Sequence, residues 1–157
     1  MDEDALYSRA ILRWTAALPE TRRLPNPTVS VTRTSRICGS RLRLDLALDT
    51  EGRIADVGHE VKACAIGQAS CAVFLRHLPG RTLAELQPLA EAFNRMITEG
   101  SRADGPAALP APWQDLVPFA AVHPFRARHG AACLPSEAIL SALKHLEKDT
   151  HPAAAQA

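Results

Sequence analysis

Cys64 sits where a strand-like run, Gly58-His59-Glu60-Val61-Lys62, passes through Ala63-Cys64-Ala65-Ile66-Gly67-Gln68-Ala69-Ser70-Cys71 into a helix rich in small residues. Small side chains let backbone amides come close to the sulfur, and the start of a helix carries partial positive charge. Cys64 is therefore the strongest chemical candidate in the chain, against the plainer reading of an inert cysteine packed at a helix start. Three further cysteines lie at positions 38, 71 and 133, with no Cys-x-x-Cys among them, which argues against a zinc ribbon. Thiolates are soft ligands suited to zinc or iron-sulfur clusters, and a tetrahedral site needs about four donors. Cys64 and Cys71, if both helical, share a face but lie roughly 10 Å apart along the axis, so one ion cannot take both. Cys71 reads as a core residue.

Other chemistries lack their residues. There is no Gly-x-x-x-x-Gly-Lys, no Gly-x-Gly-x-x-Gly and no Gly-x-Ser-x-Gly. His59-Glu60 begins a zinc-peptidase pattern, but Ala63 stands where the second histidine belongs. Six arginines, Arg22, Arg23, Arg33, Arg36, Arg41 and Arg43, fall between Thr21 and Leu44 without an acid, as either a docking patch or a solvated strand face. No aromatic residue occurs from Thr15 to Val73, so the stacking platforms of a nucleic-acid binder are missing there.

The elements that must position these thiols follow from the pattern. Tyr7, Ala10, Ile11, Trp14 and Leu18 form one helical stripe from Asp4, closed by Pro19. Thr28 to Thr34 is rich in Val and Thr and predicts a first strand. Leu42, Leu44, Leu46 and Leu48 alternate with Arg43, Asp45 and Ala47, the period of a half-buried strand, and Asp49-Thr50-Glu51-Gly52 turns the chain into a return strand from Arg53 to Val61. So short a loop makes the two strands antiparallel, which brings Cys38, before the first, and Cys64, after the second, to the same end of the hairpin.

Ala65 to Leu78 continues as a helix ended by Pro79-Gly80. Thr82-Leu83-Ala84-Glu85 has the capping-box pattern, but Pro88 interrupts the apolar period that follows. An interior proline costs about 3 kcal/mol, which predicts a short turn over 83–87 and a main helix from Pro88 to Thr98. Gly100 to Pro112 reads as an exposed loop, Trp113 to Ala121 as one short helix, and 122–128 carries no pattern. A last helix follows Cys133. The class is α+β, an antiparallel sheet of about three strands with helices packed on one face.

Composition bounds the rest. The 157 residues suit one domain, over 1–149, with 150–157 as a disordered tail. Eighteen basic against 17 acidic residues leave a net charge of +1, too little to steer the whole molecule to a polyanion. The acidic start, Met1-Asp2-Glu3-Asp4, is unlike a signal peptide and no apolar run reaches the 18 or so residues of a membrane span, so the expectation is a soluble, cytoplasmic protein without membrane or nucleic-acid partners.

The turn Cys38-Gly39-Ser40, the Gly- and Cys-containing stretch from Gly58 to Cys71, Asn26-Pro27 and the intervening hairpin resemble the NifU/IscU/SufU scaffold family. The resemblance covers most of the chain from Tyr7 to Leu146, and Cys133 looks like the family's third cysteine, before the last helix. It implies a scaffold that takes persulfide sulfur from a cysteine desulfurase, builds a labile iron-sulfur cluster on Cys38, Cys64 and Cys133, and passes it to acceptor proteins. It also implies alternatives: a SufU-like sulfurtransferase in which zinc is held and Cys133 takes the persulfide, or a metal-free binding module of the same fold. Whether Cys133 reaches the other two is open at this level. The family's Asp after Cys-Gly is Ser40 here, a much poorer donor, and the residue before the third cysteine, often His or Lys, is Ala132. His123, His129 and Glu60 could make up the ligand set, as could a partner. The Leu-Pro-Pro-Val-Lys chaperone motif of the IscU branch is absent, and the long 100–112 region is closer to the SufU branch. Ser40→Asp restores a charged oxygen, so it is expected to raise bound zinc or iron per chain and slow its loss to a chelator, and to do neither when combined with Cys64→Ala.

Overall fold

The computed structural model describes residues 3–100 and 109–149. Three antiparallel strands, β1 (Val29–Thr34), β2 (Arg41–Leu48) and β3 (Ile54–Lys62), form one sheet in that order. Five helices, α1 (Arg9–Ala17), α2 (Ala65–His77), α3 (Leu83–Thr98), α4 (Arg126–Ala132) and α5 (Leu134–Asp149), accompany it, with 3-10 helices at Glu3–Leu6 and Trp113–Val122. This is the α+β architecture expected from the pattern. None of the described helices is long and apolar enough to cross a membrane.

The alternation in β2 sets the two faces of the sheet. Leu42, Leu44 and Leu46 are buried towards α5, joined by Val29 and Val31 of β1, so Arg41, Arg43 and Asp45 project from the opposite face. The turn between β2 and β3 is held by Asp49, whose Oδ1 accepts from the Glu51 and Arg53 amides at 2.8 and 2.9 Å, and Gly52 supplies the positive φ (+80°) that closes it.

Asp45 departs from the simple alternation. It lies on the outer face, yet its side chain is fully buried, because the segment joining α1 to β1 crosses that face. Its carboxylate accepts from Arg23 Nε (2.6 Å) and a second guanidinium nitrogen (2.9 Å), the Leu24 amide (3.0 Å) and the Ser30 hydroxyl (2.6 Å). The same segment bridges the outer edge of β3 through paired backbone bonds between Arg22 and His59, at 3.1 and 2.6 Å. On the inner face His59 Nε2 meets the Pro19 carbonyl at 3.1 Å. Gly58 allows this wrapping, since a Cβ there would lie 2.7 Å from the Arg22 oxygen and 2.8 Å from the Leu24 nitrogen. The edge of β3 is thereby closed to other strands.

Three of the expected helical segments form differently. The N-terminal stripe divides at Ser8, whose hydroxyl caps α1 by accepting from the Ile11 amide at 3.3 Å, leaving Glu3–Leu6 as a separate 3-10 turn. In α3 the capping box forms in full and the helix runs unbroken through Pro88. Pro88 and Ala84 are exposed, so the carbonyl that loses its helical donor faces water, while Leu83, Leu86, Leu89 and Ala90 bury the opposite side. Packing thus outweighs the local cost of the proline. Trp113, Leu116, Phe119 and Val122 are buried at intervals of three, the period of the 3-10 helix they occupy rather than of an α-helix. Within it Phe119 meets Phe93 edge-on, and Phe93 meets Phe74 likewise. Most of the expected 100–112 loop lies outside the described residues, though Leu109 at its end is buried. The expected tail, 150–157, also lies outside them.

Burial alone would raise the Asp45 carboxyl, but the bonds from Arg23, Ser30 and Leu24 and the Arg23 charge hold it down to about 2. A carboxyl depressed on folding stabilises the protein above its unfolded pKa of roughly 4, and that contribution, on the order of 2 kcal/mol, disappears as the pH falls through about 2. Asp45→Asn is expected to lower urea-unfolding stability by about 2–3 kcal/mol at neutral pH and to flatten the acid limb of the stability curve; equal acid limbs in the two proteins would contradict this.

Candidate functional site

The β2–β3 register pairs Arg41 with Lys62, so the chain enters β2 from Cys38 and leaves β3 towards Cys64 at one end of the sheet. The Cys38 loop closes on itself, the Ser35 amide donating to the Ser40 carbonyl at 2.7 Å and the Gly39 amide to the Ser35 carbonyl at 2.8 Å. Gly39 takes the positive φ (+71°) that this reversal requires. Cys38 is exposed, with its sulfur 3.0 Å from Ser40 Oγ and 3.4 Å from Ser35 Oγ. Cys64, half-buried, is the N-cap of α2; its carbonyl accepts from the Gln68 amide at 2.9 Å while its side chain makes no capping bond.

A third element closes the site. The short helix α4, which no sequence pattern announces, packs its small residues on both cysteine loops. A Cβ at Gly130 would run into the Ser35 hydroxyl, and a Cβ at Gly67, in the first turn after Cys64, would lie 2.7 Å from Ala63 Cβ and 3.4 Å from Ala131 Cβ. Arg128 of α4 stands within electrostatic reach of both Cys38 and Cys64, and its Nε donates to Glu3 at 2.9 Å.

The four cysteines are chemically unlike. Around Cys38, burial would raise the thiol pKa, but the hydroxyls of Ser35 and Ser40, the Ser40 backbone and the Arg128 charge together bring it below the ordinary value. Cys133, between α4 and α5, is buried, and that burial with the Glu137 charge pushes its thiol up to about 12. Cys71 is fully enclosed and raised further by burial, the core residue expected.

The other candidate ligands are engaged elsewhere. His123 Nδ1 meets the Ile97 carbonyl at 3.0 Å, His129 Nε2 meets the His123 carbonyl at 2.7 Å, and the two rings stack with centroids 6.0 Å apart. Glu60 lies 3.8 Å from Arg41. Ser40 is buried beside the Cys38 sulfur, so a carboxylate substituted there would start next to it. Among the described residues no three His, Cys, Asp or Glu side chains are grouped so as to hold a metal ion. Two soft donors thus share the open end of the sheet, and Cys133 is buried at the junction of α4 and α5. Sequence reasoning missed Arg128 and Ser35. The hydroxyls flanking Cys38 at Ser35 and Ser40 were a visible signal, whereas nothing local marked Arg128.

Comparison with known proteins places this geometry among relatives. The family model described as the NifU-like N terminal domain matches residues 19–108. The fold superposes on the N-terminal part of a nitrogen-fixing NifU-like protein from Brucella abortus with a TM-score of 0.80 and 32% identity, covering 92% of this chain and 96% of that one. It also superposes on a candidate iron-sulfur cluster assembly scaffold protein for the SUF system from the thermophile Fervidobacterium islandicum AW-1, with a TM-score of 0.78 over 90% of this chain and 99% of that one. At 23% identity that second likeness is one of fold. No curated protein matches the sequence.

Accessibility and thiolate character predict the order of modification. In the native protein iodoacetamide should alkylate Cys38 ahead of a free thiol at neutral or slightly acid pH, and leave Cys71 and Cys133 untouched until the chain is unfolded. Arg128→Gln removes a charge that stabilises the Cys38 thiolate, so the pH at which its alkylation is half-maximal should rise and the neutral-pH rate should fall several-fold. Mass mapping of the labelled peptides reads both results.

Proposed function

Since this chain belongs to the NifU-like N-terminal domain family, we propose that it is a scaffold on which an iron-sulfur cluster is assembled from desulfurase-derived sulfur and iron and then released to acceptor proteins. The observation that carries the reading is the delivery of Cys38 and Cys64 to one open end of the sheet, with Arg128 in reach of both. Cys38 is the thiol suited to meet incoming sulfur. Its thiolate attacks the outer sulfur of a protein hydropersulfide, R-S-SH, forming Cys38-S-SH and releasing R-S⁻, so that atoms and charge balance. The hydroxyls of Ser35 and Ser40 and the Arg128 guanidinium lie where they stabilise the anion.

The cluster is cargo, and a ligand set that holds it loosely suits release. Cys38 and Cys64 would hold the iron of such a cluster, with Cys133, buried at the α4–α5 junction, as the third ligand of the set. The alternative, a zinc-dependent sulfurtransferase with Cys133 as persulfide acceptor, asks a buried thiol with a raised pKa to act as the nucleophile, and the exposed Cys38 favours the scaffold.

Anaerobic reconstitution with ferrous iron, cysteine and a cysteine desulfurase tests this. Iron, acid-labile sulfide and the visible absorption of a cluster should appear together in the native protein and fall to background in Cys38→Ala and Cys64→Ala. Cys133→Ala should still load but lose its cluster faster to an apo-acceptor. A native protein that gains no sulfide-containing chromophore would overturn the scaffold reading. A persulfide found on Cys133, with zinc bound and no cluster, would establish the sulfurtransferase instead.

A further inference from the structure

The arginine run between Thr21 and Leu44 is sorted by the fold into two groups. Arg22 binds Asp56 through two 2.9 Å bonds, Arg23 is held by Asp45, and Arg33 reaches Glu137 of α5 at 3.3 Å. These are structural ties. Arg41, Arg43 and Lys62 instead share the outer face of the sheet at the cysteine end, Arg41 opposite Lys62 and Arg43 opposite Glu60 on one side and Thr32 on the other. Glu60 approaches Arg41 no closer than 3.8 Å, and the Nε of Arg43 is buried without a hydrogen-bond partner among the described residues. Neither Arg43 nor Lys62 forms an ion pair among the described residues, so the positive charge of this face is left uncompensated. Arg36 is exposed in the Cys38 loop, and beside it Ile37 is 75% exposed, the most exposed large apolar side chain described.

We infer that Ile37 and Arg36 of the Cys38 loop, with Arg41, Arg43 and Lys62 at the adjoining end of the outer sheet face, form the docking surface for an acidic face of the protein that delivers sulfur to Cys38. The inference rests on the scaffold reading and names the chemistry of its sulfur-donating partner. An exposed apolar side chain that enters a partner's pocket supplies affinity, while positive charges on the adjoining face steer encounter and set orientation. Ile37 directly precedes Cys38 in the chain, so a partner seated on it brings its persulfide to the receiving sulfur. A carboxylate from that partner can pair with the exposed Lys62 or with Arg41, and the excess of positive over negative charge on this face suits an acidic surface. A nucleic acid fits less well, because the 59 residues from Thr15 to Val73, which include this entire face, contain no Phe, Trp or Tyr on which a base could stack, and His59 is buried.

The test uses the full chain and the cysteine desulfurase of the same organism, with binding measured by calorimetry at low and high salt and sulfur transfer followed from labelled cysteine. Arg43→Glu combined with Lys62→Glu should weaken binding by about tenfold or more and remove most of its salt dependence. Ile37→Asp should weaken it at both salt concentrations, and Lys148→Glu, on the exposed end of α5, should leave it unchanged. Sulfur uptake on Cys38 from glutathione persulfide, which needs no docking, should be the same in every variant. The inference is overturned if the double reversal binds like the native protein, if native binding ignores salt, if the variants lose uptake from glutathione persulfide in parallel, or if duplex DNA binds with the same dependence on Arg43 and Lys62. A native protein that reacts with glutathione persulfide but neither binds the desulfurase nor takes sulfur from it would instead remove the scaffold reading, and the docking surface with it.

Discussion

The pairing of β2 with β3 is the constraint on which the site depends. Side chains alternate between faces along a strand, so a one-residue slip in that pairing would turn Leu42, Leu44 and Leu46 out of the core and move the two thiol-bearing ends apart along the sheet. The core therefore fixes the register, and the register places Cys38 and Cys64. Asp45 reinforces it from the other face: its carboxylate ties β2 to Ser30 of β1 and to the Arg23–Leu24 segment, which in turn runs along the edge of β3. One buried anion thus connects all three strands and the connector that shields them. Removing it leaves Arg23 without its acceptor and Leu24 with an unpaired amide.

Against that frame the same functional group acquires opposite properties. Cys71 and Cys133 are thiols kept protonated by an apolar interior, whereas Cys38 faces hydroxyls, an amide and a guanidinium that favour its anion. The difference comes from burial and from the Ser35 and Ser40 hydroxyls, and α4 adds a charge to it. Its glycine and alanines allow close approach to the two loops, and its arginine then lies near both sulfurs; a bulkier residue at 130 would drive the helix away from Ser35 and carry Arg128 with it. Glu3 holds the other side of that arginine, so the N-terminal 3-10 helix also takes part in orienting the site.

Ser40 illustrates how one substitution redistributes roles. Where the resembling family has a carboxylate, this chain has a buried hydroxyl 3.0 Å from the Cys38 sulfur. A hydroxyl is a poor iron ligand but a good hydrogen-bond donor to a thiolate or persulfide. The exchange puts a neutral group that can stabilise a Cys38 thiolate in the place of a charged metal donor.

Much of the fold was legible in the sequence because its signals are local. The leucine alternation of β2, the Asp49–Gly52 turn, the Thr82–Glu85 capping box and the small-residue helix after Cys64 each depend on neighbours within a few positions, and the shared end of Cys38 and Cys64 follows from hairpin geometry alone. Tertiary structure decided what those residues become. Pro88 stays within α3 because the helix buries Leu83, Leu86 and Leu89 while the proline faces water, a balance no window around the proline contains. Asp45 has the spacing of a solvated residue and is buried because a segment some 20 positions earlier crosses over it. Arg128 lies far along the chain from both Cys38 and Cys64, on a helix with no apolar period, and Cys133 carries no mark that distinguishes a ligand from a core residue. Periodicity and turn chemistry place a side chain at an end or on a face; its charge state and its partners are set by groups that only the folded chain brings within a few ångströms.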